Sequence, residues 1–241
     1  MKKTILIVLG VLLGILTTLA VLTKVGVIDN FLGIPLLCPN QSEVPNIVQP
    51  NDPNFPIIWK PVIYLYPTQQ QEVSVNLGYS GDFLITYPEY DNGWNVSANP
   101  DGRLINKKDD KEYSYLFWEG KEKSETKYDM TTGFVVKGVG TIEFLQKKLS
   151  EIGLTPKEYN EFIVYWAPQM INNEYNLIHF ATDSEYANRI KLNITPTPDS
   201  VLRVFMVYKS LDKHIEVEPQ VFPSFERNGF TVIEWGGSQI N

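Results

Sequence analysis

The 241-residue chain holds a single cysteine, Cys38, and only two histidines, His179 and His214. One cysteine excludes an intrachain disulfide and a cysteine-based zinc site. Two histidines, with no third ligand in view, do not make a metal centre, and neither a metal nor another cofactor is expected. The usual marks of catalysis are missing as well. There is no G-x-S-x-G elbow, no H-E-x-x-H, no glycine-rich phosphate loop and no EF-hand spacing. Positive charge is short: 21 Lys and Arg stand against 28 Asp and Glu, for a net charge of −7. Met1–Cys38 carries three of the lysines against one aspartate, so the remainder stands at −9. A domain this acidic repels phosphate backbones and anionic headgroups, which excludes nucleic acid as an expected partner.

The amino terminus is rich in what the rest lacks. Lys2 and Lys3 precede an uncharged apolar run from Thr4 to Thr23. As a helix at about 1.5 Å per residue the run reaches about 30 Å, enough to span a bilayer. With no polar face it does not suit a core helix. Residues 1–24 are therefore expected to be a signal-anchor, with cleavage after a weak Thr18-Leu19-Ala20 site as the alternative. The flanking lysines stay in the cytoplasm, which puts the rest outside at the cell membrane, or secreted if the run is cut. Leu37 is not the small residue that lipidation of Cys38 would need, so Cys38 is read as a free thiol. Residues 25–57, rich in proline from Pro39 to Pro56, form a semi-rigid spacer.

Residues 58–241 read as one β-rich α+β domain, an antiparallel β-sandwich-like fold with a helical insert near 141–163. Val62–Tyr66 lies between two prolines and predicts a short strand near an edge. Glu72–Tyr79 alternates, with Val73, Val75, Leu77 and Tyr79 on one face, and Asp82–Tyr87 follows as its hairpin partner across Ser80-Gly81. Trp94–Ala98 and Arg103–Ile105 flank a turn at Asn99–Gly102. Further strands are expected at Tyr113–Trp118, Gly133–Val136, Tyr175–Ala181, Lys191–Thr195, Val201–Tyr208 and Phe230–Trp235. Val201–Tyr208 is apolar on both faces, as central strands are. Between them, Ile142, Leu145, Leu149 and Ile152 recur at helical spacing, closed by Gly153. Thr155-Pro156-Lys157-Glu158 is a capping box that opens a second, short helix. Phe162–Trp166 reads equally well as a strand, and Pro168 is a stop.

Several strings carry a resemblance. Lys60–Pro67, Tyr115–Gly120, Pro196–Asp199 with Arg203–Met206, and Phe225–Phe230 with Glu234–Gly237 resemble an uncharacterised family of exported proteins, over most of Trp59–Gly237. The resemblance implies one shared fold and carries no activity, ligand or catalytic residue.

The candidate site residues come from local chemistry. Glu119 and Glu234 each adjoin a tryptophan, which raises a carboxyl's pKa and suits general-acid work. If they shared a cleft they would act as a glycosidase-like pair; otherwise they are strand-end carboxylates. Arg203 sits in an apolar strand and needs an acceptor such as Asp199, Glu119 or Glu234, or else a ligand carboxylate. His179 reads as a satisfied core histidine or a ligand contact. Tyr64, Tyr66, Trp118 and Trp235 could stack on sugars or simply fill a core. Three functions remain in play: a non-catalytic binding or envelope-assembly module for cell-wall glycan, peptide or another envelope protein; an extracytoplasmic hydrolase; and a purely structural domain.

Overall fold

The computed structural model describes residues 57–123 and 127–240. The expected membrane helix, Cys38 and all of the spacer but its last residue lie outside the described residues. Among the described residues no helix is long and apolar enough to cross a membrane.

Among the described residues eight strands come first: β1 Ile57–Tyr66, β2 Gln71–Gly78, β3 Asp82–Tyr87, β4 Trp94–Ala98, β5 Leu104–Asn106, β6 Glu112–Tyr113, β7 Leu116–Lys121 and β8 Phe134–Lys137. Two helices follow, α1 Thr141–Ile152 and α2 Pro156–Met170. Then come β9 Tyr175–Phe180, β10 Lys191–Thr195, β11 Ser200–Leu211 and β12 Thr231–Gln239. The strands form a seven-stranded sheet in the order β3-β7-β1-β12-β11-β9-β8 and a five-stranded sheet in the order β10-β2-β4-β5-β6. The domain is thus β-rich, with two sheets and a short helical insert.

Two cores follow from alternation along the strands of the larger sheet. One face sends Ile63, Leu65, Leu116, Trp118, Phe205 and Val232 against Val73, Val75, Trp94 and Val96 of the smaller sheet. The other sends Val62, Tyr64, Val204, Met206, Ile233 and Trp235 against Leu145, Leu149, Phe162 and Trp166 of the two helices. Each large side chain fully buried here contributes about 1.5–3 kcal/mol.

The first helix ends, and the second begins, where expected. Gly153 caps α1 with its N–H on Leu149 and Ser150, and Thr155 and Glu158 make the full capping box of α2. The end of α2 differs. The insert runs to Met170 rather than 163, and Phe162–Trp166 is helix. Phe162, Trp166 and Met170 recur at helical spacing and are all buried against the sheet, while Pro168 faces solvent within the last turn. Proline there removes one hydrogen bond near the end, which the buried stripe outweighs.

Three further expectations are corrected. β1 is not an edge strand, because β7 and β12 flank it. Pro61 is accommodated at a register shift between Trp59 and Val62, where its missing donor costs no ladder bond. β2 and β3 are not a hairpin: β2 pairs with β4 and β10, and β3 pairs with β7 in the other sheet. Ser80-Gly81 is a corner between sheets, and a Cβ at Gly81 would stand 2.2 Å from the Tyr79 ring and 2.4 Å from the Lys121 carbonyl. Nor is the larger sheet purely antiparallel, since β11 and β12 run parallel along Ser200–Tyr208. A parallel neighbour needs a crossover, here residues 212–230, whose Gln220 side chain bonds both backbone groups of Phe180.

Candidate functional site: an aromatic shelf beside α2

The helix layer packs on β1, β12, β11 and β9 and leaves the β7–β3 corner of the same face open. Alternation decides what that corner shows. In β7, Leu116 and Trp118 point into the core between the sheets, so Phe117 and Glu119 point the other way, with Tyr115 leading in. Opposite Glu119 and Phe117 stand Ile85 and Tyr87 of β3, 52% and 60% exposed. Tyr165 of α2 walls the corner from the helix side, close enough to Glu119 for that carboxylate to act on its hydroxyl.

Lys60 enters from β1. Its backbone is left-handed, with φ 52°, at the register shift beside Pro61. A non-glycine residue in that conformation costs on the order of 1 kcal/mol, and such strain gathers at functional sites. The turn places the Lys60 Nζ 5.8 Å from the Tyr115 ring centroid, 5.5 Å from that of Phe117 and 5.5 Å from that of Tyr165. The Lys60 N–H donates to Glu119 Oε1 at 3.2 Å. Burial pushes the Glu119 carboxyl above its ordinary range, with the Lys60 N–H and charge pulling partly back. Deeper in, the Tyr64 hydroxyl donates to Glu161 Oε2 at 2.9 Å, and the Tyr64 ring meets Tyr115 edge-on. Burial first, and then the Glu161 charge, drive the Tyr64 phenol far upward. The corner is a shelf of partly exposed rings edged by two carboxylates and one ammonium.

The structure does not bring Glu119 and Glu234 together. Glu234 shares a strand face with Val232 and points between the sheets, whereas Glu119 points to the helix side. Glu234 is fully buried and accepts from Arg203 Nε at 2.6 Å. Arg203 also donates Nη1 to the Ile190 carbonyl at 2.7 Å and lies 4.6 Å over the Tyr186 ring. Arg203 thus serves the interior, with Glu234 as its acceptor rather than Asp199 or Glu119. Trp118 and Trp235 are fully buried and offer no ring to a ligand. Tyr64 is buried behind the shelf. Tyr66 is partly exposed and lines a cleft of about 350 Å³ with Thr155, Glu158 and Arg227, where Arg227 grips the buried Glu158 at 3.0 and 2.5 Å. His179 is buried, with Nδ1 3.0 Å from the Thr132 carbonyl and Nε2 3.0 Å from Glu185 Oε2. Both nitrogens are occupied, so His179 ties the 182–190 turn to β9. A second, polar cleft of about 460 Å³ lies beside that turn, lined by Tyr79, Ser184, Glu185, Asn188 and Arg189 among others.

Sequence reasoning missed Lys60, Tyr115, Phe117, Glu161 and Tyr165 as a group. The alternation of Tyr115, Phe117 and Glu119 was a usable signal. Tyr165 was hidden by reading its segment as a possible strand.

Of the strings behind the expected resemblance, Lys60–Tyr66, Leu116–Gly120, Arg203–Met206 and Glu234–Gly237 lie on the adjacent strands β1, β7, β11 and β12, whereas Pro196–Asp199 and Phe225–Phe230 lie in loops. Gly236 and Gly237 of β12 are tightly packed. A Cβ at Gly236 would lie 3.1 Å from Pro61, and one at Gly237 would lie 2.5 Å from the Met206 carbonyl and 2.6 Å from Trp166. The glycine pair lets the β1 bulge and α2 approach β12.

Fold and site define a β-rich, two-sheet domain with a helix pair on one face and an open aromatic corner beside it. Part of the chain is 48% identical, over 64 residues, to an uncharacterised protein from the bglA 3′ region of Butyrivibrio fibrisolvens. That match takes in 25% of this chain and 65% of the relative. No protein-family model and no solved structure matches the chain.

Proposed function

We propose that the chain is a membrane-tethered, extracytoplasmic binding module of the cell envelope that takes a glycan on the β7–β3 shelf. Thr4–Thr23 is the anchor, the proline-rich stretch is the spacer, and the described domain is a β-sandwich-like module carried outside the cytoplasm. The observation that carries this reading is the shelf itself. Tyr87, Tyr115, Phe117 and Tyr165 present flat apolar surface at low entropy cost, which suits the apolar face of a sugar ring. Glu119 and Glu161 edge that surface with acceptors for hydroxyls. The charge of −7 argues against phosphate-rich partners. Glu234 shares the Val232 and Ile63 face and points away from Glu119, which argues against the Glu119–Glu234 pair as a glycosidase-like site.

The test is retention of the detergent-solubilised full-length protein on purified cell-wall fractions. Retention on the glycan fraction, reduced at least tenfold by Tyr87→Ala, is expected. Retention on a protein or peptide fraction alone would move the ligand class to polypeptide. No retention on any fraction would overturn the reading.

A further inference from the structure

The shelf already holds one ammonium, its own. The described contacts of Lys60 Nζ are three ring faces at 5.5–5.8 Å, from Tyr115, Phe117 and Tyr165, which stand on two different elements. Ring faces present the negative part of the π quadrupole and attract cations. Glu119 acts on the same ammonium electrostatically, and Glu161 acts on Tyr115. Two carboxylates thus act on Lys60 and its rings, so without Lys60 the subsite is anionic as well as aromatic. Such a setting selects an organic cation over a neutral or acidic group. Lys60 reaches it on a long, flexible stem and is only half-buried. Contacts of this kind are individually weak at partly exposed sites, so the resident ammonium is exchangeable.

We infer that the Lys60 cage is an amine subsite, and that the glycan taken by the shelf carries free amino groups, one of which replaces the Lys60 ammonium among Tyr115, Phe117 and Tyr165. This rests on the glycan reading above. It adds that Lys60 is a built-in competitor: it keeps the rings from collapsing on each other and sets a threshold that only a cationic ligand overcomes.

The probes are glucosamine oligomers, the matching N-acetylglucosamine oligomers and poly-lysine, titrated into the full-length protein in detergent. Wild-type protein is expected to bind the free-amine oligomer at least tenfold more tightly than the acetylated one. Lys60→Met is expected to strengthen amine binding by about threefold or more, because the competitor is gone, and Glu119→Gln to weaken it by a similar factor. Thermal unfolding of each variant separates these effects from misfolding, and Lys60→Gln repeats the test with a polar stem. Equal affinity for both oligomers would overturn the amine subsite while leaving the glycan reading intact. Weaker binding by both Lys60 variants would also overturn it, showing Lys60 to be a ligand contact. Binding of poly-lysine with neither oligomer would overturn the glycan reading itself.

Discussion

Two charged groups lie on opposite faces of the same seven-stranded sheet, and they are built differently. Between the sheets, Arg203 and Glu234 bond directly at 2.6 Å, Glu234 is fully buried and Tyr186 roofs the pair. On the helix face, Lys60 and Glu119 share a backbone hydrogen bond and a longer-range attraction, and the ammonium rests on rings beside exposed Ile85 and Tyr87. The first arrangement is turned to the interior and joined by a direct ion pair, although Arg203 Nη2 and Glu234 Oε1 lack a hydrogen-bond partner among the described residues. The second keeps its rings and charges within reach of a ligand. Changes between the sheets should therefore cost stability, and changes on the shelf should cost binding.

The largest expected effect is at the interior pair. Arg203→Leu leaves Glu234 buried without its cation and should destabilise the chain by about 3–5 kcal/mol in denaturant unfolding. Next is the glycine contact behind the shelf. Gly237→Ala drives a methyl into the Met206 carbonyl and Trp166, at an expected cost of about 2–3 kcal/mol. A loss under about 0.5 kcal/mol would show that the glycine pair is not held by packing.

Acid sharpens the same contrast, because the two faces respond with opposite sign. Glu185, on the interior side with His179, accepts from the Asp129 and Thr182 N–H groups, the Thr182 hydroxyl and His179. Burial opposes ionisation, but these donors outweigh it and hold the carboxyl at about 2 against an ordinary 4.5. Its contribution is full above pH 4.5 and fades as pH falls from 4.5 towards 2. That loss should be on the order of 2 kcal/mol, discounted for partial solvent access, and Glu185→Gln should flatten it. Glu119 is shifted upward, so its folded form takes up a proton first, and its contribution is gained as pH falls through a window just above 4.5. Glu119→Gln should remove a burial cost and raise stability slightly at neutral pH. A melt profile in which both variants shift the same way would break the comparison.

The smallest effect on stability belongs to Lys60→Met and Tyr87→Ala, each expected within about 1 kcal/mol of wild type.

Much of the strand inventory was legible because alternation and turn chemistry are local. Gln71–Gly78, Lys191–Thr195, the Asn99–Gly102 turn and the Thr155–Glu158 capping box all follow from neighbours in sequence. What failed was long-range. The corner at Ser80-Gly81 and a hairpin turn share the same residue types, so pairing between β2 and β3 could not be told from separation into two sheets. The interior place of β1 was masked by its prolines, whose cost vanishes at a bulge that only β7 and β12 reveal. The Arg203–Glu234 pair was anticipated as a buried charge needing a carboxylate. Which face Glu119 took depended on the register of β7 against β1 and β3, and the shelf needed α2 to continue past Phe162. Neither is written in any one segment.

The most direct test pairs two readouts on one variant. Tyr87→Ala is measured for affinity to purified wall glycan and for its unfolding midpoint, both in the full-length protein. The expected result is an affinity loss of at least tenfold, about 1.4 kcal/mol, with an unchanged midpoint. Unchanged affinity would contradict a binding role for the shelf, as would a loss that merely follows a fall in the midpoint.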